Sequence, residues 1–338
     1  MTHPALPVSR LSRRALFCLP AVAALALVPL AGFSGSAFAQ TPAWPTQTVK
    51  ILVGFPAGST PDVSARILAE ALGKAWGQTV VVENRPGAAG NIAADAVAKA
   101  RDDHTLGIVI NGNLTTAKAL NPKLPFDPAR DFAPVSLVAT APLVLVTNAD
   151  KPAGAAFFAA ARAGGKSWSY GSVGIGSVGH LGMEALMSKA GMADAVHVPF
   201  NGNPAVITAL IAGQVQMALM PPGIALPQAQ AGKVRVVGVS GPRSPLAAGV
   251  EPLNSLGVTL DDLEVWNALV APSGMARAAL DRLGRDVPEV LRQPEVRERM
   301  LTAGWQVQGS TAEVLRRRVE AETKLLGGII AAQGIKVE

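Results

Sequence analysis

The chain has 338 residues, of which 49% are hydrophobic and 16% are charged, and its formal net charge is +6. This length allows one or two domains with a large core. Residues 1–39 contain three arginines and no acidic residue, so the remainder carries a net charge of only +3. A nucleic-acid-binding protein depends on a strong basic surface, and the composition therefore argues against that class.

The first 39 residues have the pattern of a cleaved signal peptide. Arg10, Arg13 and Arg14 precede the apolar stretch ALFCLPAVAALALVPLAGF, and AFA at positions 37–39 has the A-x-A form of a cleavage site. The motif SRRALF is compatible with either the twin-arginine or the general secretory route. We therefore predict an exported, periplasmic protein that begins near Gln40 and has no stable insertion in the membrane.

Cysteine chemistry is excluded from the predicted mature chain. The single cysteine, Cys18, lies within the signal segment, which leaves no disulfide, thiolate metal site or thiol nucleophile. No later apolar run approaches the ~18–20 residues that a membrane span requires.

The first part of the mature chain predicts alternating strands and helices. An apolar run at 49–55 is a buried strand, and an amphipathic helix follows, with Thr60 as its N-cap and Pro61 in its first turn. Strands are predicted at 79–84 and 105–112, with an Ala-rich helix between them that ends at Lys99.

A second unit of the same kind occurs in the middle of the chain. It consists of a strand at 167–173, a small-residue loop at 174–180, a helix and a strand at 195–202. Two separate units of this kind predict two α/β lobes, each a mixed sheet flanked by helices. We place crossings between the lobes near 136–148 and 264–272, which assigns 40–140 plus 268–338 to lobe 1 and 141–267 to lobe 2.

Several motifs suggest catalysis but lack the context it requires. GIGSVG at 174–179 matches a dinucleotide-binding fingerprint, yet Asp194 precedes the second strand instead of following it. The loop at 54–62 has no P-loop lysine, and GVSGP at 238–242 misses the second glycine of a nucleophile elbow. The three histidines of the mature chain, His104, His180 and His197, lack metal-ligand spacing. We expect no metal, no cofactor and no catalytic residue.

Four polar loops follow predicted strands, at 54–60, 111–116, 171–180 and 201–203. They are rich in Gly, Ser, Thr and Asn, which donate hydrogen bonds without changing charge. Two of the loops lead into helix N-termini, whose free N–H groups favour a carboxylate or phosphate. With two loops in each lobe, this pattern predicts an anion bound between the lobes.

The mature chain resembles the tripartite tricarboxylate transporter receptors, the TctC or Bug-type solute-binding proteins of bacterial periplasms. The resemblance is carried by VENRPGAAGNI at 82–92 and by YGSVGIGSVGHLGMEAL, VHVPFNGNPAVITALIAGQVQMAL and PEVRERMLTAGWQVQGST, which occur in the family's order. It implies a Venus-flytrap receptor of the type II-like periplasmic-binding-protein fold, with two crossing strands as the hinge. It also implies a small carboxylate ligand, membrane permease subunits as partners, and no catalysis.

The resemblance places the ligand carboxylate on the loop after the first strand and on the loop that opens the helix of the second lobe. The loop at 111–115 and the turn at 200–201 would form the remaining walls. The predicted ligand-binding residues are Phe55, Pro56, Ala57, Gly58, Ser59, Thr60, Asn111, Asn113, Thr115, Ser172, Gly176, Ser177, His180, Phe200, Asn201 and Met220.

The chain departs from the family pattern at three of these positions. AGSTPD replaces a glycine-rich run, so that Ser59 and Thr60 add hydroxyl groups. FNG replaces Tyr-Lys-Gly, and Leu219-Met220 replaces Phe-Asp, which removes a natural partner for a ligand ammonium group. We therefore expect an uncharged or apolar-tailed carboxylate ligand rather than an amino acid.

Two other functions remain open at the level of sequence. A receptor that signals to a sensor kinase needs the same hinge as a receptor that supplies a permease. An exported NAD(P)-dependent oxidoreductase would use the GIGSVG loop. The receptor is expected to be a monomer.

Overall fold

The computed structural model describes residues 44–192, 195–260 and 263–336, and they form two mixed sheets flanked by helices. This is the predicted architecture of two α/β lobes, each a mixed sheet flanked by helices. The predicted signal peptide, its cleavage site and Asp194 lie outside the described residues.

The first sheet has six strands. In spatial order they are β11 (Gln306–Val307), β4 (Phe132–Pro142), β10 (Glu264–Pro272), β3 (Thr105–Ile110), β1 (Val49–Val53) and β2 (Val80–Asn84). Strands β2, β1 and β3 are parallel, whereas β10 is antiparallel to both β3 and β4. The helices that accompany this sheet are α1 (Thr60–Trp76), α2 (Asn91–Ala98), α3 (Asn111–Thr115), α4 (Ala117–Leu120), α5 (Pro128–Asp131), α10 (Arg277–Arg292) and α11 (Pro294–Thr302).

The second sheet has five strands. In spatial order they are β7 (Val196–Pro199), β6 (Ser169–Ser172), β8 (Met217–Met220), β5 (Val144–Asn148) and β9 (Val234–Val239). Strands β7, β6 and β8 are parallel, and β5 is antiparallel to β8 and β9. Its helices are α6 (Ala155–Gly164), α7 (Val178–Ala190), α8 (Asn203–Ile211) and α9 (Pro222–Gln230).

Each sheet is covered by apolar side chains on both faces, which explains why most strands have continuous apolar runs instead of alternating ones. Strand β3, for example, is buried at all six positions. Two of the buried clusters pack on the first sheet and two on the second. The continuous apolar runs therefore identify the strands in the sequence. They do not show which side chains point to which face of the sheet.

The chain passes from the first sheet to the second through Leu143, which alone separates β4 from β5. It returns to the first sheet at β10. The last helix, α12 (Ala312–Gln333), packs Leu315 in a cluster of the first sheet and Leu326 and Ile329 in a cluster of the second. This helix therefore contacts both halves, and the predicted lobe boundaries stay a prediction.

Candidate functional site

A small cavity lies between the two sheets, at the ends of parallel strands. Its volume, counted as space open to the centre of a water molecule, is about 30 Å³. The residues on its wall are Ile110, Asn111, Leu143, Ser172, Val173, Ser177, Val178, Gly179, Asn203, Val206, Leu219, Pro221 and Val265. These residues lie at the ends of β3, β6 and β8, in the first turns of the helices that follow β6 and β7, or in the crossings. The cavity therefore occupies the position where open α/β sheets bind ligands.

The loop between β1 and α1 is held in shape by Asp62. The N–H of Gly58, which has a φ of +76°, donates to Asp62 Oδ2 at 2.9 Å, and the Nδ2 of Asn84 donates to Asp62 Oδ1 at 2.8 Å. The helix begins at Thr60 and its N-cap is Ser59, one residue earlier than predicted. Ser59 is buried, but its Oγ has no hydrogen-bond partner among the described residues. The loop therefore presents an unused hydroxyl at a helix N-terminus.

The other predicted residues of this loop differ in their surroundings. Phe55 is buried in the cluster that contains β1, whereas Ala57 and Gly58 are exposed. Pro56 approaches the second lobe, since a Cβ added to Gly202 would lie 3.1 Å from Pro56 Cδ.

A hydrogen bond between the lobes joins Thr60 to Asn203, which lies in the predicted polar loop at 201–203 but is not among the predicted ligand-binding residues. Asn203 Nδ2 donates to Thr60 Oγ1 at 3.3 Å, and Asn203 lies on the cavity wall. The predicted Asn201 is exposed. The signal that could have found Asn203 is the sequence Gly-Asn-Pro, which places it at the first position of α8 with Pro204 beside it.

The segment after β3 is the short helix α3 and not the expected loop. Asn111 is fully buried and lies on the cavity wall. Asn113 links the helix to the preceding chain, because its Oδ1 accepts from the N–H of Ile110 and its Nδ2 donates to Ala89 and Asn91.

Helical geometry directs Thr115 away from the cavity and Thr116 toward the second lobe. Thr115 Oγ1 donates to the carbonyl of Asn111 at 2.8 Å, and Thr115 lies on the wall of a separate groove beside α12. Thr116 Oγ1 instead donates to the carbonyl of Gly176 at 2.8 Å. The contact between the lobes thus belongs to the residue next to the predicted one.

The second lobe contributes the loop between β6 and α7. Ser177 is the N-cap of α7, and its Oγ accepts from the N–H of His180 and donates to the carbonyl of Gly174. Ser172 Oγ accepts from the N–H of Gly174 at 3.1 Å and contacts His197 Nε2 at 2.7 Å. The serines therefore fix the loop, while the first N–H groups of α7 border the cavity.

The stacked rings of Tyr170, His197 and His180 pack beside this loop. The ring centroids of His180 and His197 are 4.1 Å apart, and those of Tyr170 and His197 are 4.9 Å apart. His180 Nδ1 accepts from the N–H of Gly176 at 3.2 Å. Burial, together with repulsion from His197, lowers the pKa of His180 to about 3, and burial lowers the pKa of His197 to about 4. Both histidines are thus neutral at physiological pH and serve the loop as hydrogen-bonding supports.

Two more predicted residues lie in the second lobe. Phe200 packs against the apolar cluster of the second sheet that contains Ala218 and Met220. Its N–H donates to the carbonyl of Ser172 at 2.8 Å. Met220 is almost fully buried in the same cluster, whereas its neighbours Leu219 and Pro221 lie on the cavity wall. Strand alternation accounts for this exchange, because successive side chains point to opposite faces.

The first lobe fills the space in front of the GIGSVG loop. A Cβ added to Gly174 would lie 2.7 Å from the Cβ of Ala89, and one added to Gly176 would lie 2.4 Å from Leu120 Cδ1. In this arrangement a pyrophosphate has no room against the loop. Among the described residues, no group of three His, Cys, Asp or Glu side chains could hold a metal ion. No helix within those ranges is long and apolar enough to cross a membrane.

Comparison with known proteins identifies relatives that match most of the chain. Residues 64–335 match the family described as the tripartite tricarboxylate transporter family receptor. A Pseudomonas sp. (strain P51) protein encoded in the tcbD–tcbE intergenic region is 33% identical over 306 residues, which cover 89% of this chain and 90% of that protein.

Two solved structures of relatives contain carboxylates. One is an R. palustris protein with adipate, 29% identical, with a TM-score of 0.83 and coverage of 87% of this chain and 99% of the other. The second is MatC from Rhodopseudomonas palustris with bound malate, 29% identical, with a TM-score of 0.79 and coverage of 85% and 99%.

Proposed function

Because the chain belongs to the tripartite tricarboxylate transporter receptor family, whose members are solute-binding receptors and not enzymes, we propose that it captures a small carboxylate between its lobes and delivers it to membrane permease subunits. The resemblance stated from the sequence is confirmed by the family match, and so is the absence of an enzymatic role. The ligand, the permease partnership and the periplasmic location of this chain belong to the proposal.

The observation that carries the proposal is the cavity between the sheets. Its wall combines the N-terminus of α7 with polar side chains from both lobes, among them Asn111, Ser172 and Asn203. The N-terminus of α1 lies beside it through the bond from Asn203 to Thr60. Two helix N-termini supply free N–H groups and positive dipole ends, which favour a carboxylate. Ser172 on this wall contacts His197 Nε2, but its Oγ also bonds to the carbonyl and the N–H of Gly174, so this pair supports the loop.

The size of the cavity implies that binding requires motion. A cavity of about 30 Å³ holds one or two water molecules, so a dicarboxylate enters only when the lobes separate. Two hydrogen bonds between the lobes, Thr60 with Asn203 and Thr116 with Gly176, would then break and re-form. Hinge closure of two lobes around a ligand is a known motion of periplasmic binding proteins.

A thermal-denaturation screen of mono-, di- and tricarboxylates, including adipate and malate, tests the proposal. A ligand at 100 times its dissociation constant should stabilise the protein by about 2.7 kcal/mol. Mass spectrometry of small molecules released on denaturation provides a second readout. If no carboxylate shifts the melting temperature and none is released, the proposed binding function is wrong. Ligand-dependent transport in vesicles that contain the permease subunits then separates delivery to a permease from signalling to a kinase.

A further inference from the structure

The side-chain amide of Asn111 is held in one orientation. Its Nδ2 donates to Glu322 Oε1 at 2.7 Å and to the carbonyl of Glu264 at 3.1 Å. Both partners are acceptors. If Nδ2 and Oδ1 exchanged positions, the acceptor Oδ1 would face these two acceptor oxygens and no hydrogen bond would form. The orientation of the amide is therefore dictated by its neighbours, and Oδ1 is the atom left over.

Glu322 is itself fixed by the C-terminal helix and the returning strand. Its Oε2 accepts from Trp266 Nε1 at 2.6 Å and from Arg318 Nε at 3.1 Å. Arg318 also donates to Glu264 Oε2 at 3.1 Å. These contacts come from β10 and α12, behind the cavity wall, and they leave Glu322 with little freedom to turn away from Asn111.

Asn111 Oδ1 has no hydrogen-bond partner among the described residues, although Asn111 is fully buried and lies on the cavity wall. A buried carbonyl oxygen without a partner is costly, so the contents of the cavity should supply a donor. A carboxylate oxygen cannot do so, because it only accepts. A hydroxyl group on the ligand can.

An ammonium group would also donate, but the surroundings disfavour it. None of the described residues on the cavity wall carries a charge, and a desolvated ammonium group needs an opposite charge close by. The carboxylate that contacts Asn111, that of Glu322, is already engaged by Trp266 and Arg318 as well. A neutral hydroxyl group is therefore the better partner for this oxygen.

We propose that Asn111 Oδ1 selects a carboxylate that carries a hydroxyl group, and that Glu322 is the positioning residue that fixes the Asn111 amide for this contact. The inference rests on the proposed function and names the class of ligand within it, a hydroxy acid. Of the two relatives solved with ligands, one holds malate, which has a hydroxyl group, and the other holds adipate, which has none. Asn111 is the feature of this chain that distinguishes between the two types.

Isothermal titration calorimetry of the mature protein with matched ligand pairs tests the inference. The pairs are malate with succinate, citrate with tricarballylate, and lactate with propionate, each differing by one hydroxyl group. We expect the hydroxy acid of the tightest-binding pair to bind at least tenfold more tightly than its partner, and aspartate to bind more weakly than malate. Equal binding within every pair contradicts the inference alone, whereas binding of no carboxylate contradicts the proposed function with it.

Two variants link the preference to the named residues. Asn111→Leu removes the acceptor, and it should weaken binding of the hydroxy acid at least tenfold while changing binding of its partner less than threefold. Asn254→Leu, the same substitution at an exposed position, is the matched control and should leave both affinities unchanged.

Glu322→Gln tests the positioning role without removing Asn111. The glutamine retains an oxygen for Trp266 and Arg318 but places its NH₂ against Asn111, so the Asn111 amide should turn and direct Nδ2 to the cavity. We expect the ratio of the two affinities to fall below threefold in a variant that still unfolds cooperatively. An unchanged ratio in both Asn111→Leu and Glu322→Gln would overturn the inference.

Discussion

Leu143 and Ser240 are joined by two hydrogen bonds at the point where the chain crosses between the sheets. The N–H of Leu143 donates to Ser240 Oγ at 2.9 Å, and the N–H of Ser240 donates to the carbonyl of Leu143 at 2.8 Å. Ser240 Oγ also donates to the carbonyl of Leu263, at the start of the return crossing. One serine therefore connects both crossings, and the GVSGP sequence that resembles a nucleophile elbow has a structural role.

Ser240→Ala should destabilise the protein by about 1–3 kcal/mol, because a buried N–H and a buried carbonyl both lose their partner. The midpoint of thermal unfolding measures this change. Ser167→Ala is the control, since the Ser167 hydroxyl also donates to a backbone carbonyl, that of Gly164, but at an exposed site. Equal midpoints for the two variants would show that Ser240 does not hold the crossings together.

Thr116→Val should weaken ligand binding about two- to tenfold. The variant keeps the shape of the side chain but removes the bond to Gly176 that closes the lobes, and a net contribution of about 0.5–1.5 kcal/mol is typical for such a bond. Calorimetry with the tightest carboxylate measures the effect. Thr115→Val provides the comparison: a larger loss there than in Thr116→Val would favour the sequence-based choice of Thr115 over the arrangement of α3.

Gly174→Ala should hold the lobes apart, because its Cβ would lie 2.7 Å from the Cβ of Ala89. We expect at least a tenfold loss of affinity and a larger radius of gyration in the presence of ligand, measured by small-angle X-ray scattering. Gly154→Ala is the matched control, since Gly154 also has a positive φ but nothing lies within 4 Å of its added Cβ. Similar affinities for both variants would contradict the prediction that the contact of residue 174 with Ala89 limits closure of the lobes.

Stability should fall as the pH decreases from about 6.5 toward 4. The folded-state pKa values of His180 and His197, about 3 and 4, lie below the ordinary histidine value of 6.5. In this range the unfolded chain binds protons that the folded chain does not, which favours unfolding. Above pH 6.5 both states are neutral at these residues, and the contribution disappears.

Thermal unfolding at several pH values between 4 and 8 measures this dependence. His197→Phe retains a ring in the stack but removes one titrating group, and its midpoint should decrease less steeply below pH 6.5. Burial raises the pKa of Glu322, although hydrogen bonds from Trp266, Asn111 and Arg318 lower it. At low pH the folded protein therefore takes up a proton at Glu322, which stabilises it and opposes the effect of the histidines. If the parent protein and His197→Phe had the same slope, the buried histidines would not be the source of acid sensitivity.

The sequence by itself determined the family and the strands and long helices of the two repeated units, but not the short helix α3. Apolar runs such as 49–53 and 105–110 are long enough to identify buried strands, and the small-residue loops after them mark helix starts. Because these signals depend on residues close together in the chain, they could be read without the fold.

Only the tertiary structure decided which side chains meet between the lobes. Thr116 faces Gly176 while Thr115 does not, because α3 turns each residue by about 100° relative to the previous one. Asn111 contacts Glu322, which is 211 positions away in the chain, and no local pattern records that pair. Helix rotation, strand alternation and long-range packing set these contacts, and all three depend on how the two sheets come together.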